Sequence, residues 1–395
     1  MKTQVAIIGG GPAGLLLAEL LHRQGVDSVV LERQSRSYVL ARIRAGVLEQ
    51  STVDLLRNNG LGERMDTLGH AHDGMKIVWA GRDSFFIDCF KHLGKRFMAY
   101  GQTQIQQDLF AAADRRNAVV LTEVEDVRPM DVTSERPHVL FRHQGEAMRL
   151  DCDYIAGCDG FHGVSRKAIP ATHRREFEKA YPFGWLGVMS RTAPLPDITY
   201  ANHPRGFALA SMRSPTLSRY YVQVPLDDKV EAWSDDRFWT ELTARFPPEM
   251  ARAIQTGPTI EKSIAPLRSF VSEPMSHGKL FLCGDAAHIV PPTGAKGLNL
   301  AVSDVFYLSR ALALHYYRDA GSDRLLDGYS AMALRRVWSS VRTSWYLTNL
   351  LHRFPDASDF DQRAQETELD YLKASAHAQA SLAEQYAGMP FESAD

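Results

Sequence analysis

The chain has 395 residues, 45% apolar and 23% charged, with a formal net charge of −2. That is ordinary for a soluble globular protein of two or three lobes. So small a charge gives no overall field to recruit nucleic acid or an anionic membrane, and no apolar run approaches membrane-spanning length. The start, MKTQVAIIGGG, is too short an apolar run for a signal peptide, so a cytoplasmic enzyme is expected. Cys89, Cys152, Cys158 and Cys283 form no CxxC, which predicts buried, idle thiols rather than metal ligands or a redox pair.

Residues 4–8 (QVAII) predict a buried strand, and Pro12 to Gln24 a helix that turns Leu15, Leu16, Ala18 and Leu20 inward. VDSVVLE (26–32) predicts the next strand, so the chain opens on a β-α-β unit. Val47 to Asn58 reads as a helix ending at Gly60. From about 70 to 150 the pattern is mixed, with short strands such as MKIVWA and HVLFRHQ, and LDCDYIAGCDG (150–160) is a strand running into a turn. Between about 175 and 267, prolines, aromatics and alternating runs (GFALASMR, RYYVQV) predict an inserted antiparallel sheet. GKLFLCGDAAH (278–288) returns to strand-then-glycine. Beyond Gly297 the chain is mostly helical, with Trp338, Trp345, Leu347, Leu350 and Leu351 on packing faces or a dimer contact.

Gly9-Gly10-Gly11-Pro12-Ala13-Gly14 fits G-x-G-x-x-G between the first strand and helix. Its three fixed glycines, Gly9, Gly11 and Gly14, permit a tight turn, admit a pyrophosphate to the backbone and let helix pack on strand. The helix N-terminus presents free N–H groups and partial positive charge to the diphosphate. Pro12 suits the first helical position, where its missing N–H costs nothing. Glu32, ending the second strand, can accept from ribose hydroxyls, which suits FAD or NAD rather than a 2′-phosphorylated nucleotide. Yet the stretch it begins, ERQSRSYVLARIR, sets four arginines behind that carboxylate, and arginine's planar fork suits a 2′-phosphate. No second G-x-G-x-x-G marks a separate nicotinamide domain. The arginines are therefore a basic solvated turn or contacts to a second nucleotide.

Two further segments carry a resemblance. CDYIAGCDGFHGVSRKAI, with Asp159-Gly160 and Arg166, and GKLFLCGDAAHIVPPTGAKGLNLAVSD, with Asp285, resemble the second and third signatures of the single-component FAD-dependent aromatic hydroxylases. The chain is similar to that family over essentially its whole length. YANHPRGFAL, LHRFPD and ARIRAGVLEQ are nearest to members acting on 4-hydroxybenzoate. The resemblance implies an α/β (α+β) fold: a Rossmann-like FAD-binding domain over 1–175 and 268–297, an antiparallel substrate-binding sheet over 176–267, and a helical C-terminal region over 298–395. It implies a homodimer without a metal. The implied activity takes a hydride from NADPH, holds O2 on reduced flavin as a C4a-hydroperoxide, and converts 4-hydroxybenzoate into 3,4-dihydroxybenzoate. Implied FAD contacts are Gly11, Glu32, Arg44, Gln102, Asp285, Gly294, Leu298 and Asn299, with Arg219 linked to flavin positioning. Arg33, Gln34, Tyr38, Arg42, Arg44, His162, Arg166 and Arg268 match the family's contacts to the nicotinamide nucleotide. On this reading Glu32 serves one ribose and the arginines mainly a second nucleotide.

Ser211 and Arg213 lie two apart in GFALASMRS, as do Arg219 and Tyr221 in RYYVQV, so each pair shares a strand face. The turn-like run Ser214 to Ser218, containing Pro215, predicts that the two strands pair as a hairpin. Pattern alone favours an exposed polar face. A buried cluster would need an anion, and a small carboxylate paired fork-to-fork with Arg213 would serve. The resemblance turns the choice to the pocket, because Ser211, Arg213 and Tyr221 match the family's carboxylate ligands. It also matches Tyr200 and Tyr386 to a hydrogen-bonded tyrosine pair that deprotonates the substrate phenol. His72 matches the outer end of that relay, and the Pro292 carbonyl a contact to the phenol. In VPPTGAKGLN, the prolines stiffen the approach, Gly294 and Gly297 admit the backbone close to a flavin, and Lys296 adds positive potential. FFIDCFKHLGKRF (85–97) acquires no function.

A plain nicotinamide dehydrogenase leaves the Asp159-Gly160 and Gly284-Asp285 segments without work. A flavin halogenase needs Trp-x-Trp and a disulfide reductase a paired-cysteine motif, and neither is present. A hydroxylase of a related hydroxybenzoate, with Met189 and Met212 reshaping the pocket, and a non-catalytic flavin redox sensor remain as alternatives.

Overall fold

The structure is a computed structural model that describes residues 1–41, 46–79, 82–318 and 322–392. Val5–Ile8 is buried at every position, as a strand flanked by parallel neighbours must be. It pairs in parallel with Ser28–Leu31 on one side and Tyr154–Gly157 on the other. The full sheet has six strands in the order Ser276–His277, Leu280–Leu282, Tyr154–Gly157, Val5–Ile8, Ser28–Leu31, Val119–Leu121. Its four central strands are parallel, so the turns that follow Ile8, Leu31, Gly157 and Leu282 gather at one edge, where α/β sheets bind ligands. The helix Pro12–Arg23 buries Leu15, Leu16, Ala18 and Leu20 against this sheet. Gly14 lies so close to the preceding strand that a Cβ there would sit 1.9 Å from the Gly9 carbonyl oxygen.

One expected element changes. Val47–Leu48 is not the first turn of a helix but a short strand paired with Met98–Ala99, and the helix runs Gln50–Asn58. Leu48 is fully buried in the core, and strand pairing holds it there.

The second sheet has eight strands in the order His288–Ile289, Thr259–Glu273, Arg175–Ser190, Leu217–Val224, Ala208–Ser214, Ile198–Asn202, Gly74–Trp79, Phe85–Asp88. The hairpin between Ala208–Ser214 and Leu217–Val224 forms as its turn chemistry predicts, closing at Ser214 opposite Leu217. Two strands from the first hundred residues extend the sheet, with Gly74–Trp79 parallel to Ile198–Asn202. One face packs on Phe238, Trp239 and Phe246. The other is covered by Leu347, Leu350, Leu351, Leu382 and Tyr386 of the C-terminal helices. Trp338 and Trp345 lie on the outer side of the helix Arg324–Leu351, partly exposed. Among the described residues no helix is long and apolar enough to cross a membrane.

Candidate active site

The edge where the parallel strands end is a cavity of about 440 Å³. Gly9, Gly11, Glu32, Arg33, Gln34, Tyr38, Gln102, Asp285, Pro292 and Leu298 line it, together with Gln106, Asp159 and Lys296. A Cβ on Gly11 would meet no atom within 4 Å, so this glycine is bare on the ligand's side rather than on the protein's. Glu32 is braced by the N–H groups of Gly10 and Gln34, at 2.6 and 2.7 Å, one to each carboxylate oxygen. Each oxygen keeps a lone pair for a hydroxyl. Two buried acceptors of the lining, Asp159 Oδ1 and Gln106 Oε1, have no donor among the described residues. A diphosphate cradle with unmet acceptors beside it fits FAD, whose ribose and ribityl hydroxyls supply donors.

Several expected contacts hold the cleft from behind. Asn299 accepts from Glu49 N–H and Thr52 Oγ1 and donates to the Val47 and Ala295 carbonyls, so its amide is fully committed inside the protein. Gly294 packs near Ser344. Lys296, 2% exposed, donates to Glu49 Oε1 at 2.6 Å and to the backbone carbonyls of Gln385 and Tyr386. The same glutamate takes Arg336, which also holds the Met389 carbonyl. Arg44 lies outside the described residues.

The second sheet builds the other half. Thr199 and Ala210, Tyr200 and Leu209, Leu209 and Tyr221, and Ser211 and Arg219 are cross-strand partners. Partners point to the same face, as do residues two apart. Tyr200, Ser211, Arg219 and Tyr221 therefore share the face that the C-terminal helices cover. A register shift follows Met212, and the half-buried Arg213 ends with its Nε lacking a hydrogen-bond partner among the described residues. No carboxylate pairs with it among the described residues. Burial holds its pKa below the ordinary guanidinium value, and Tyr221 only partly offsets this. Arg219 is opposed by burial but raised by Tyr221 and Glu261, whose carboxylate is 3.1 Å away. Ser211 donates to the Arg219 carbonyl and keeps its acceptor side. Opposite Tyr221 stands Gly187, where a Cβ would lie 2.8 Å from the Tyr221 ring and 2.9 Å from Arg219 Nη2.

Tyr200 and Tyr386 are joined by a 2.8 Å hydrogen bond between hydroxyls. Tyr200 donates to the Thr293 carbonyl at 3.1 Å, so Tyr386 is the donor within the pair. Burial pushes both phenols well above the ordinary tyrosine value. The Pro292 carbonyl accepts from Ala295 N–H within the turn. His72 is buried with a lowered pKa, chiefly from desolvation, and stacks on Phe97, which in turn meets the edge of Tyr386. No hydrogen bond joins His72 to either tyrosine among the described residues. The segment 85–97, to which sequence gave no function, is thus the wall between them. His352 was missed as well. It is wholly buried, accepts from Trp185 Nε1 at 2.7 Å, and stacks with Phe183, Phe207 and Trp185 beneath Tyr221.

Of the second-nucleotide set, Arg33, Tyr38 and His162 are exposed beside the cleft mouth. Arg36, unassigned, is tied to Asp114 through both Nη atoms, at 2.9 and 2.6 Å, and anchors the helix Arg36–Ala41 that carries Tyr38. Arg268 lies over Phe161 and pairs with Glu178 at 3.7 Å. Arg166 differs from the rest, since it is buried between the Phe161 and Phe270 rings and donates to the Ala286 and Phe161 carbonyls. Arg42 lies outside the described residues.

The chain belongs to the FAD binding domain family, which matches residues 2–344. It is 51% identical over 394 residues to p-hydroxybenzoate hydroxylase of Acinetobacter baylyi, covering 99% of this chain and 96% of that one. A probable NADH-specific resorcinol 4-hydroxylase of Rhodococcus jostii is 28% identical over 347 residues, 83% of this chain and 61% of the relative. The fold is shared with p-nitrophenol 4-monooxygenase PnpA of Pseudomonas putida, at TM-score 0.80 and 17% identity over 98% of this chain and 99% of that one.

Proposed function

We propose that the protein is an FAD-dependent monooxygenase that hydroxylates 4-hydroxybenzoate to 3,4-dihydroxybenzoate with O2 and NADPH. The observation that carries this reading is one sheet face with two demands at its two ends. A guanidinium with an unpartnered Nε and no carboxylate beside it among the described residues, set with a hydroxyl and a phenol, asks for a carboxylate, and a hydrogen-bonded phenol pair asks for another phenol.

Arg213 would take the carboxylate fork-to-fork, with Ser211 and Tyr221 donating beside it, and Arg219 would stay with Glu261. At the far end the substrate hydroxyl would meet Tyr200. Because burial keeps both tyrosines from resting as phenolates, the pair would relay the charge rather than store it: Tyr200 would turn its hydroxyl from the Thr293 carbonyl toward Tyr386, take the substrate's proton as it gives up its own, and Tyr386 would release its proton toward solvent. The ionised substrate then pushes electron density to its ortho carbon, where the hydroxyl is added. Bound FAD would carry electrons from NADPH to O2 and present the oxygen atom, held by Glu32, Gln102, Asp285 and the Gly9–Gly14 and Gly294–Leu298 turns. Covering helices and the aromatic wall keep water from that centre. Arg33, Gln34, Tyr38, Arg42, Arg44, His162 and Arg268 would meet NADPH, with Arg166 bracing that surface from within. A cytoplasmic homodimer is the proposed working form.

The test is NADPH oxidation by the flavin-loaded protein with and without 4-hydroxybenzoate, measuring 3,4-dihydroxybenzoate and H2O2 together. Strong stimulation with product matching NADPH is expected, and NADH should serve less well. Stimulation yielding only H2O2 would make the compound an effector, and no stimulation would sink the pocket.

A further inference from the structure

Cys158 and Cys283 are far apart in the chain, but the parallel sheet sets them side by side. Ala156 and Gly157 are in register with Phe281 and Leu282. Cys283 N–H donates to the Gly157 carbonyl at 2.9 Å, which carries the ladder one step further. Adjacent strands lie roughly 4.8 Å apart, within the roughly 4.4–6.8 Å between Cα atoms that a disulfide spans. The neighbouring Cys283 thiol, then burial, push the Cys158 thiol well above its ordinary value. Tyr329 fixes the order of protons. Its hydroxyl donates to the Leu282 carbonyl at 2.7 Å, so Cys283 Sγ, 3.2 Å away, donates to the phenol oxygen. Both residues line the nucleotide cleft, and each directly precedes one of its loops, Asp159-Gly160 or Gly284-Asp285.

We propose that Cys158 and Cys283 are a redox-active dithiol in the floor of the flavin cleft, closed to a disulfide by hydrogen peroxide when the cleft is empty and shielded when FAD fills it. The shielding rests on the FAD reading above. One thiol attacks the peroxide, breaking its O–O bond and releasing water to leave a sulfenic acid. The second thiol displaces the remaining hydroxyl as water and forms the S–S bond, so two electrons and two protons pass from sulfur to oxygen. Peroxide is what an oxygen-activating flavin site releases when oxygen fails to reach substrate. Burial and raised thiol pKa make the closed site slow to react, and FAD adds cover. Closing the bond replaces two thiols with one fixed link whose preferred Cα separation, roughly 5.5–6 Å, exceeds the strand spacing, so it presses the strand ends apart and shifts the loops carrying Asp159 and Asp285, which weakens FAD uptake. A protein that has lost its flavin would thereby be held inactive until a thiol reductant reopens it.

The experiment takes full-length protein, one portion stripped of flavin and one reloaded with FAD, through the same H2O2 exposure. Alkylation and peptide mapping by mass spectrometry follow. Expected is a Cys158–Cys283 cross-link lacking the mass of two hydrogens, formed about tenfold faster without FAD and reversed by dithiothreitol. FAD re-binding should weaken about tenfold until that reduction, while Cys89 and Cys152 stay alkylatable. In Cys283→Ala, dimedone should trap a sulfenic acid at Cys158 and no cross-link should form. Two free thiols after peroxide in the stripped protein would overturn the dithiol, as would a link from Cys158 to another cysteine in the variant. Equal rates with and without FAD would overturn the shielding. A protein that takes up no FAD yet forms the link would sink the cofactor reading and keep the dithiol.

Discussion

The two sheets solve the problem of holding a ligand in opposite ways. The six-stranded sheet presents backbone: N–H groups at a helix start, glycines that clear space, and one carboxylate braced by two amides. The eight-stranded sheet presents side chains, drawn from three strands and completed by a helix from the far end of the chain. A backbone cradle must come from a contiguous stretch, whereas a side-chain constellation needs only correct register. The first therefore breaks through sterics at single positions and the second through lost charge and lost contacts.

The largest effect should come from the backbone side. Gly14→Val places carbon against the Gly9 carbonyl, where no side chain can give way, and should cost several kcal/mol. The protein should purify without flavin and melt earlier, and yellow protein with full FAD content would refute the packing. Arg213→Ala tests the other sheet. Removing one partner of a buried charged contact costs about 2–5 kcal/mol, so 4-hydroxybenzoate affinity by titration should fall roughly thirtyfold or more while FAD stays bound. Unchanged affinity would end the pocket assignment. Tyr200→Phe should bind substrate within a few-fold yet yield at least about tenfold less product per NADPH, the balance emerging as H2O2. Full coupling would remove the tyrosine pair from the chemistry. Gly187→Ala presses on Tyr221 and on the flexible end of Arg219, so a rise of about tenfold in KM is expected with kcat little changed. A wild-type KM would show that the guanidinium simply yields.

One more effect is visible only in acid. Burial holds His352 neutral, its pKa lowered to about 3. Below about pH 6.5 the unfolded chain binds a proton that the folded protein refuses. Stability is therefore lost at about 1.4 kcal/mol per pH unit as pH falls from about 6.5 toward 3, with no such slope above it. In His352→Gln that slope should shrink by one proton when melting is followed across pH. Identical slopes would place the titration elsewhere.

What the sequence revealed follows the same division. Gly9, Gly11, Gly14 and Glu32 were legible because spacing along the chain is itself the geometry of a turn. Ser211, Arg213, Arg219 and Tyr221 were legible as alternating pairs, but whether they faced water or a pocket depended on which helices cover that face. Gly187 left one faint signal, a glycine in mid-strand among bulky neighbours. His352 and Phe97 left none, since a buried histidine and a core phenylalanine look alike in any sequence. Arg166 and Asn299 read as ligand contacts, and their side chains turn out to be committed to carbonyls and amides inside the protein. The four thiols read as idle because no two form a CxxC. Parallel register pairs two of them nonetheless.

The clamp of Lys296 and Arg336 on Glu49 and on the carbonyls of residues 385–389 sets the order in which competence is gained and lost. Tyr200 meets a partner 186 positions away, so their bond closes only after a long loop is closed and the Ala376–Ala387 helix docks. That helix buries Leu382, Ala383, Tyr386 and Ala387 but has no sheet ladder of its own, so its docking rests on side-chain contacts that can open before either sheet does. Under mild denaturant, turnover should then fade while both sheets still protect their amides from exchange.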